Sequence, residues 1–441
     1  MTRPLYVILS IACALSAAAA DDLPAARAIR TQIESRIDGR LDESYWSEAP
    51  RYSEFHRLGR KGGFSADMER TEFQVACDRE SLLVGITCFD PNVGDLIAKV
   101  TERDGPSWSD DAVEIFVRLN DRFYYQFAVN SLGTVYDARA TVVNGAPPGD
   151  VSRARLWDGV IDAAVTQEAT HWTVEVRIPF ATLDIGPDTM DVWRFNIGRS
   201  AARRKDYSSW APVQRGFNDL PRHGYLEGIE IDPDRFPLDA ASLEFPALRL
   251  GSNQMTFEFP TTRPGTFQVS TSLREWDRGP RPPLQQQGPP LKTVDGNLAL
   301  ALKLPVTHAG TLNELILQIA EAGTGRPVLQ RMHLFRAPEP MHATLQWAVY
   351  YQSESSARLD VDITVAPQSA QGTLDASIYA GQTRLRQHQV AIEEPGNIRV
   401  MLPIDGLAPD LYRLVVTAQM KDLPPTTRTM RFNLVPGPFD K

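Results

Sequence analysis

Glu114, Gln126 and Asn130 are spaced so that a β-hairpin would set one acid and two amides on a common face. Such a set can accept and donate the hydrogen bonds of a saccharide's hydroxyl array. In the stretch WSDDAVEIFVRLNDRFYYQFAVN (108–130), Val113, Ile115, Val117 and Leu119 alternate with Glu114, Phe116 and Arg118. After the turn Asn120-Asp121-Arg122, Phe123, Tyr125, Phe127 and Val129 alternate with Tyr124, Gln126, Ala128 and Asn130. Successive side chains point to opposite sides of a strand. If Leu119 opposes Phe123, then Phe116 opposes Gln126 and Glu114 opposes Ala128, and the polar trio shares the face that is not the core.

Trp108 lies in the loop just before the hairpin, where its ring can overhang Glu114, and Trp210, in DYSSWAPV, lies outside any clean alternation. Two loop indoles could hold a pyranose ring by its apolar faces while its hydroxyls bond to Glu114, Gln126, Asn130 or an arginine. The plainer alternative makes both indoles edge-of-core residues.

Hydrolysis of a glycosidic bond would require two carboxylates about 5 to 9.5 Å apart, and Asp110, Asp111 and Glu114 form the close acidic group on this surface. Asp110 and Asp111 precede a strand, where such residues cap a turn or hold a metal through oxygen. The seven histidines are dispersed without a metal-ligand spacing and are expected at the surface. Haem would need an axial residue such as His171 or Met190, and nothing positions either one. Arg199, Arg203, Arg204 and Lys205 read as a solvated loop, or as charges that could meet an acidic sugar. Glu175 and Arg177 read as the outer face of a strand.

The elements that must position these residues are strands. Residues 31–232 form one strand-rich block, including TEFQVACD, SLLVGITCFD, TVYDARAT, HWTVEVRIPF and VWRFNIGRS, with a short helical stretch at Asp42–Ala49 anchored by Tyr45 and Trp46. Before it, Asp21–Gln32 reads as a short leader. Pro233–Pro246 reads as a linker. Residues 241–338 read as a second β-sandwich, interrupted by the low-complexity stretch GPRPPLQQQGPP, an extended solvated excursion. Residues 341–437 hold seven short strands with turn signals between them, which suggests an immunoglobulin-like sandwich. The expected fold is therefore all-β: a larger N-terminal sandwich followed by two smaller ones.

In the same order along the chain stand Ile37-Asp38-Gly39 with Leu41-Asp42-Glu43 and Trp46, the strand pair ending in Phe89-Asp90, and Trp108 through Phe116. Tyr125-Gln126-Phe127 with Asn130 and Gly133 follow, and then Glu175 with Ile178-Pro179. Together these resemble the family 9 carbohydrate-binding modules, from Ile33 to Ile231. The resemblance implies a β-sandwich that binds a sugar between two tryptophans, helped by a carboxylate, an amide and an arginine, with structural Ca2+ often nearby. Trp108, Glu114 and Gln126 match the first tryptophan, the acid and the amide. Trp210 and Arg139 take the second tryptophan and the arginine by chain order, and Asp110 and Asp111 are the candidates for calcium.

The bulk properties agree with an exported protein. Met1–Ala20 carries a single Arg3, an apolar run and then SAAAA, the pattern of a secretory signal cleaved near Ala20. No later stretch approaches the ~18 apolar residues of a membrane helix. A formal charge of −9 argues against nucleic acid and anionic membranes as partners. Cys77 and Cys88 fall on consecutive strands about six residues out of register, too far to bridge, so both are expected as buried thiols. The expectation is a secreted or periplasmic, non-catalytic binder of oligo- or polysaccharide, accessory to polysaccharide breakdown, whose C-terminal domains could contact a protein partner. The alternatives are a cell-envelope assembly protein with a degenerate sugar-binding fold, and a glycoside hydrolase.

Overall fold

Period-two alternation runs through most of the chain, and the chain folds accordingly as sheets packed on sheets. The computed structural model describes residues 23–58, 68–143, 145, 154, 157–279 and 281–437. Met1–Ala20, read above as a secretory signal, and most of residues 144–150 lie outside the described residues. No helix among them is long and apolar enough to cross a membrane.

Two compact units partition the chain. The first holds the described residues up to 154 with Asp162–Arg177 and Met190–Glu230; the second holds 157–161, Ile178–Thr189 and the chain from Ile231 onward.

The first unit is built on β1 (Ala25–Arg27), β2 (Ile29–Arg30), β3 (His56–Arg57), β4 (Thr71–Cys77), β5 (Ser81–Phe89), β6 (Ala112–Arg118) and β7 (Phe123–Asn130). It continues with β8 (Val135–Thr141), β9 (Asp162–Gln167), β10 (His171–Pro179), β11 (Trp193–Ala201), β12 (Asp206–Ser209) and β13 (Gly224–Glu227). One sheet runs β1-β13-β11-β6-β7-β8, with β12 and β3 paired beside β11, and the other runs β2-β4-β5-β10-β9. Ala25–Arg30, which reads as leader in the sequence, contributes a strand to each sheet: β1 lies parallel to β13 and β2 parallel to β4.

The hairpin has the register expected from alternation, with Glu114 opposite Ala128 and Phe116 opposite Gln126. Asn120 closes its turn by accepting from the Arg122 and Phe123 amides, both at 3.0 Å. Val113, Ile115, Val117, Tyr125, Phe127 and Val129 are fully buried on the side facing the second sheet.

Strands β4 and β5 are buried on both faces because residues 35–49 fold over them. The helix α1 (Ser44–Glu48) sets Tyr45 and Trp46 against Ala76 and Leu83. Beneath this cover lies Glu175, fully buried and not on an outer face: it accepts from the Asp38 and Gly39 amides and from Trp46 Nε1. Arg177 does take the exposed position, paired with Asp162. Cys77 pairs with Leu82 and Cys88 with Thr71, so the thiols are buried, free and out of register.

The second unit contains two further sandwiches. Its first is formed by β14 (Gly251–Pro260), β15 (Thr266–Glu275), β16 (Leu284–Gln287), β17 (Leu291–Lys292), β18 (Asn297–Val306), β19 (Leu312–Glu321) and β20 (Pro327–Arg336), in sheets β14-β18 and β16-β15-β19-β20 with β17 on β15. The Pro-rich excursion is exposed as expected, yet Leu284–Gln287 pairs with β15 as an edge strand. The stretch read as a linker packs: Leu238 and Ala240 are buried in this core and Leu238 bridges to Thr261.

The last sandwich contains β21 (Met341–Leu345), β22 (Val349–Tyr351), β23 (Ser356–Ile363), β24 (Gly372–Ala380), β25 (Thr383–Ile392), β26 (Gly396–Pro403), β27 (Asp410–Met420) and β28 (Thr426–Val435). Its sheets, β21-β23-β26 and β22-β28-β27-β24-β25, follow an immunoglobulin-like order. Tyr412, near the start of β27, donates its hydroxyl hydrogen to the Ala408 carbonyl at 2.6 Å, the tyrosine corner of such folds.

Candidate functional site

One face of the larger sheet in the first unit carries a cleft of about 380 Å³. Its floor is built by register. Glu114 and Phe116 on β6, Gln126 on β7, Tyr136 on β8 and Ser200 on β11 all point to the same side, because Gly198 opposes Glu114, Ala128 opposes both Glu114 and Tyr136, and Ser200 opposes Ala112. Gln126 Nε2 donates to Glu114 Oε2 at 2.7 Å, so the acid and amide form a unit. Glu114 is only 6% exposed, and this burial pushes its carboxyl up to about 7 while the bond from Gln126 acts the other way. At neutral pH the floor can therefore present a carboxylate, which only accepts, or a carboxylic acid, which also donates.

Trp108 forms one wall, half-buried, its ring edge-on to Tyr136 at 4.5 Å. Tyr207 and Leu58 line the cleft with Phe217 and Asn218 from the loop before β13. Tyr207 is 42% exposed and opposes Ser200 across the β11–β12 pair, which puts it on the Glu114 face.

Trp210 is not part of this wall, contrary to expectation. Its amide continues the pairing with Ile197, a core residue, and its odd offset from Tyr207 turns the indole to the other side of the sheet. There it is 3% exposed among Phe73 at 5.2 Å, Phe195 at 6.1 Å and Tyr52 at 6.2 Å.

Other expectations are also corrected. Asn130 lies on the predicted face but is fully buried under residues 97–110, donating to the Val100 carbonyl at 2.8 Å and to Asp110 at 3.0 Å. Arg139 opposes Tyr125, so it starts from the opposite face, and its guanidinium sits 4.4 Å over Phe123. Asp110 and Asp111 spend their carboxylates on backbone amides: Asp110 accepts from Lys99 and Val100, and Asp111 from Ile97 and Ala202. These bonds tie residues 97–100 and Ala202 to the start of β6.

The cluster 199–204 is likewise no solvated loop. Arg199 is 1% exposed and pairs with Glu69 at 3.1 Å, Arg203 pairs with Asp90 at 3.1 Å, and Arg204 with Glu69 at 3.3 Å. His171 and Met190 do not line the cleft.

Two residues that sequence reasoning passed over hold the site together. Asn196 Oδ1 accepts from Ser209 Oγ and from the Ala211 amide, both at 2.9 Å, while its Nδ2 donates to the Phe217 carbonyl at 3.3 Å. His223 is fully buried, with Nε2 donating to the same carbonyl at 2.7 Å, and burial lowers it to about 4, so it is a neutral loop anchor. His333, in the second unit, is also no surface residue: it stacks between Phe245 at 5.0 Å and Phe335 at 5.5 Å. The signal for the loop anchor was Gly198, a strand-interior glycine, which marks a close approach. A Cβ there would fall 2.7 Å from the Phe217 ring.

Among the described lining residues Glu114 is the one acid. Aromatic walls and a polar floor suit a neutral, hydroxyl-rich ligand.

The chain is similar in structure to a Bacteroides uniformis protein to which carbohydrate binding has been ascribed, at 16% identity and a TM-score of 0.37, covering 47% of this chain and 100% of that one. It is also similar to a family 9 carbohydrate-binding module from Caldicellulosiruptor kristjanssonii in complex with cellotriose, at 14% identity and a TM-score of 0.31, covering 51% and 100%. A family 9 module from the same organism in complex with glucose gives 17% identity and a TM-score of 0.31, covering 47% and 98%. No curated protein gives a match. Residues 37–227 match the model of the carbohydrate family 9 binding domain-like family, and the N-terminal half of this chain is a domain of that family.

Proposed function

We propose that this is an exported, non-catalytic carbohydrate-binding protein, accessory to polysaccharide breakdown, whose cleft holds a neutral sugar ring between Trp108 and Tyr207. Glu114 and Gln126 bond its hydroxyls from below. The observation that carries this reading is the Glu114–Gln126 pair at 2.7 Å on the floor of an aromatic-walled cleft, within a domain of a carbohydrate-binding family. A secretory leader at Met1–Ala20 supports export to the periplasm or beyond. A shallow, wet site should bind on the order of micromolar to millimolar, because desolvating hydroxyls consumes much of the gain.

The test is a glycan array followed by calorimetric titration with neutral oligosaccharides. Trp108→Ala and Tyr207→Ala should each weaken binding roughly tenfold or more by removing a stacking wall. A folded protein that binds no glycan, or binds equally well in both variants, would defeat the proposal. The second reading, an envelope assembly protein with a degenerate sugar-binding fold, is favoured by one observation: the second indole, Trp210, belongs to the core. That reading requires the null result on the array.

A further inference from the structure

On the outer face of the immunoglobulin-like sandwich, register aligns a row of cationic and aromatic side chains. Arg431 on β28 opposes Arg413 on β27, Arg413 opposes Tyr379 on β24, and Tyr379 opposes Arg384 on β25. Trp347 lies two residues ahead of Val349, the first residue of β22, which pairs in parallel with Asn433 of β28. Trp347 is 59% exposed, Arg384 and Arg431 are exposed, and Arg413 and Tyr379 are half-exposed. With strands about 4.8 Å apart, the row from Arg431 to Arg384 spans roughly 14 Å, the length of a short oligosaccharide.

Two like charges directly opposite each other on a sheet are unfavourable. Among the described residues no ion pair joins Arg413 or Arg431. Arg413 donates to the Gly381 carbonyl and lies 4.7 Å over the Tyr379 ring. Asp375, on the same face of β24, accepts from Ser377 at 2.6 Å and from Gln389 at 3.2 Å, and the charge of Arg384 acts on it, which leaves Arg413 and Arg431 as the less compensated pair. In a chain of net charge −9, this face is a local concentration of positive charge set between rings.

We infer that this row is a second binding site, for an acidic polysaccharide lying across the strands. Guanidinium groups match carboxylate or sulfate oxygens two at a time, Tyr379 holds the Arg413 guanidinium over its ring, and the exposed Trp347 offers a stacking surface at the β22 end. A face that combines rings with cations favours a polymer whose units carry both a ring face and an anion. An anionic membrane would gain little from Tyr379 within the sheet and would be repelled by the remainder of the chain.

The full-length protein should bind polygalacturonate in affinity electrophoresis, with dextran as the neutral control and dextran sulfate separating sulfate from carboxylate recognition. Arg413→Gln, Arg431→Gln and Trp347→Ala should each weaken binding to the acidic polymer roughly tenfold, and added salt should weaken it further. Trp108→Ala should leave it unchanged, which separates this site from the cleft. The melting temperature of Arg431→Gln should hold or rise, since an opposed charge is removed. Binding of either acidic polymer with this variant dependence supports the inference. Absence of binding to both, arginine variants that bind like the parent, or equal capture by phosphatidylserine vesicles would overturn it.

Discussion

Glu114 is the residue on which the cleft's chemistry and its pH response both turn. Its carboxyl is held at about 7 by burial, against about 4.3 in an unfolded chain. A raised acid favours the folded state fully below the unfolded value, and that contribution is lost as pH rises through 7, on the order of 3 kcal/mol in all. Glu175, pushed up to about 7 by burial and by the nearby Glu43, acts in the same direction. His223 and His333, both lowered to about 4 by burial, act in the opposite direction below about 6.5. The measurement is therefore the difference between parent and Glu114→Gln in urea denaturation from about pH 4.5 to 8: the parent should lose stability relative to the variant as pH rises. A variant with the parent's slope would show that the carboxyl titrates normally. The acid–amide pair was legible because alternation and a turn suffice to set a hairpin register. Trp210 was harder to read: its face depends on how β12 aligns with β11, and Tyr207, three residues earlier, is the aromatic that alignment delivers.

At the scale of elements, the cleft exists because a loop lies flat on a sheet. Phe217 can rest against β11 only because Gly198 lacks a side chain, and Asn196 and His223 hold the Phe217 carbonyl in place. Gly198→Ala would force the ring to move, at a cost of about 1–3 kcal/mol, and should weaken saccharide binding as Phe217 and Asn218 leave the wall. Calorimetric titration beside a melting curve checks this; full affinity in a destabilised variant would mean the loop does not shape the site. Asp110 and Asp111 act at the same scale. The sequence shows two acids before a strand, and metal binding and loop tying look alike until the amides of residues 97–100 are found above them.

Across the whole molecule, local pattern and spatial grouping part company in places. Leu250 precedes the second block's first strand, yet it is buried in the core of the last sandwich and bridges to Val365. Leu250→Ala should cost that sandwich about 2–4 kcal/mol, visible as faster amide exchange at Leu414 and Val416; exchange unchanged there would mean the contact contributes little. The sequence by itself determined the all-β character, the register of the central hairpin, the Glu114–Gln126 pairing and the mismatch of the two thiols. Each follows from period-two alternation and short turns, which are local. Only the tertiary structure decided that Asn130 is roofed over, that Trp210 belongs to the core while Tyr207 lines the cleft, that Arg199 is buried with Glu69, and that four strands align Tyr379 with three arginines. A strand's pattern states which side a residue faces; what covers that side is set by segments far away in the chain, through contacts that no local spacing encodes.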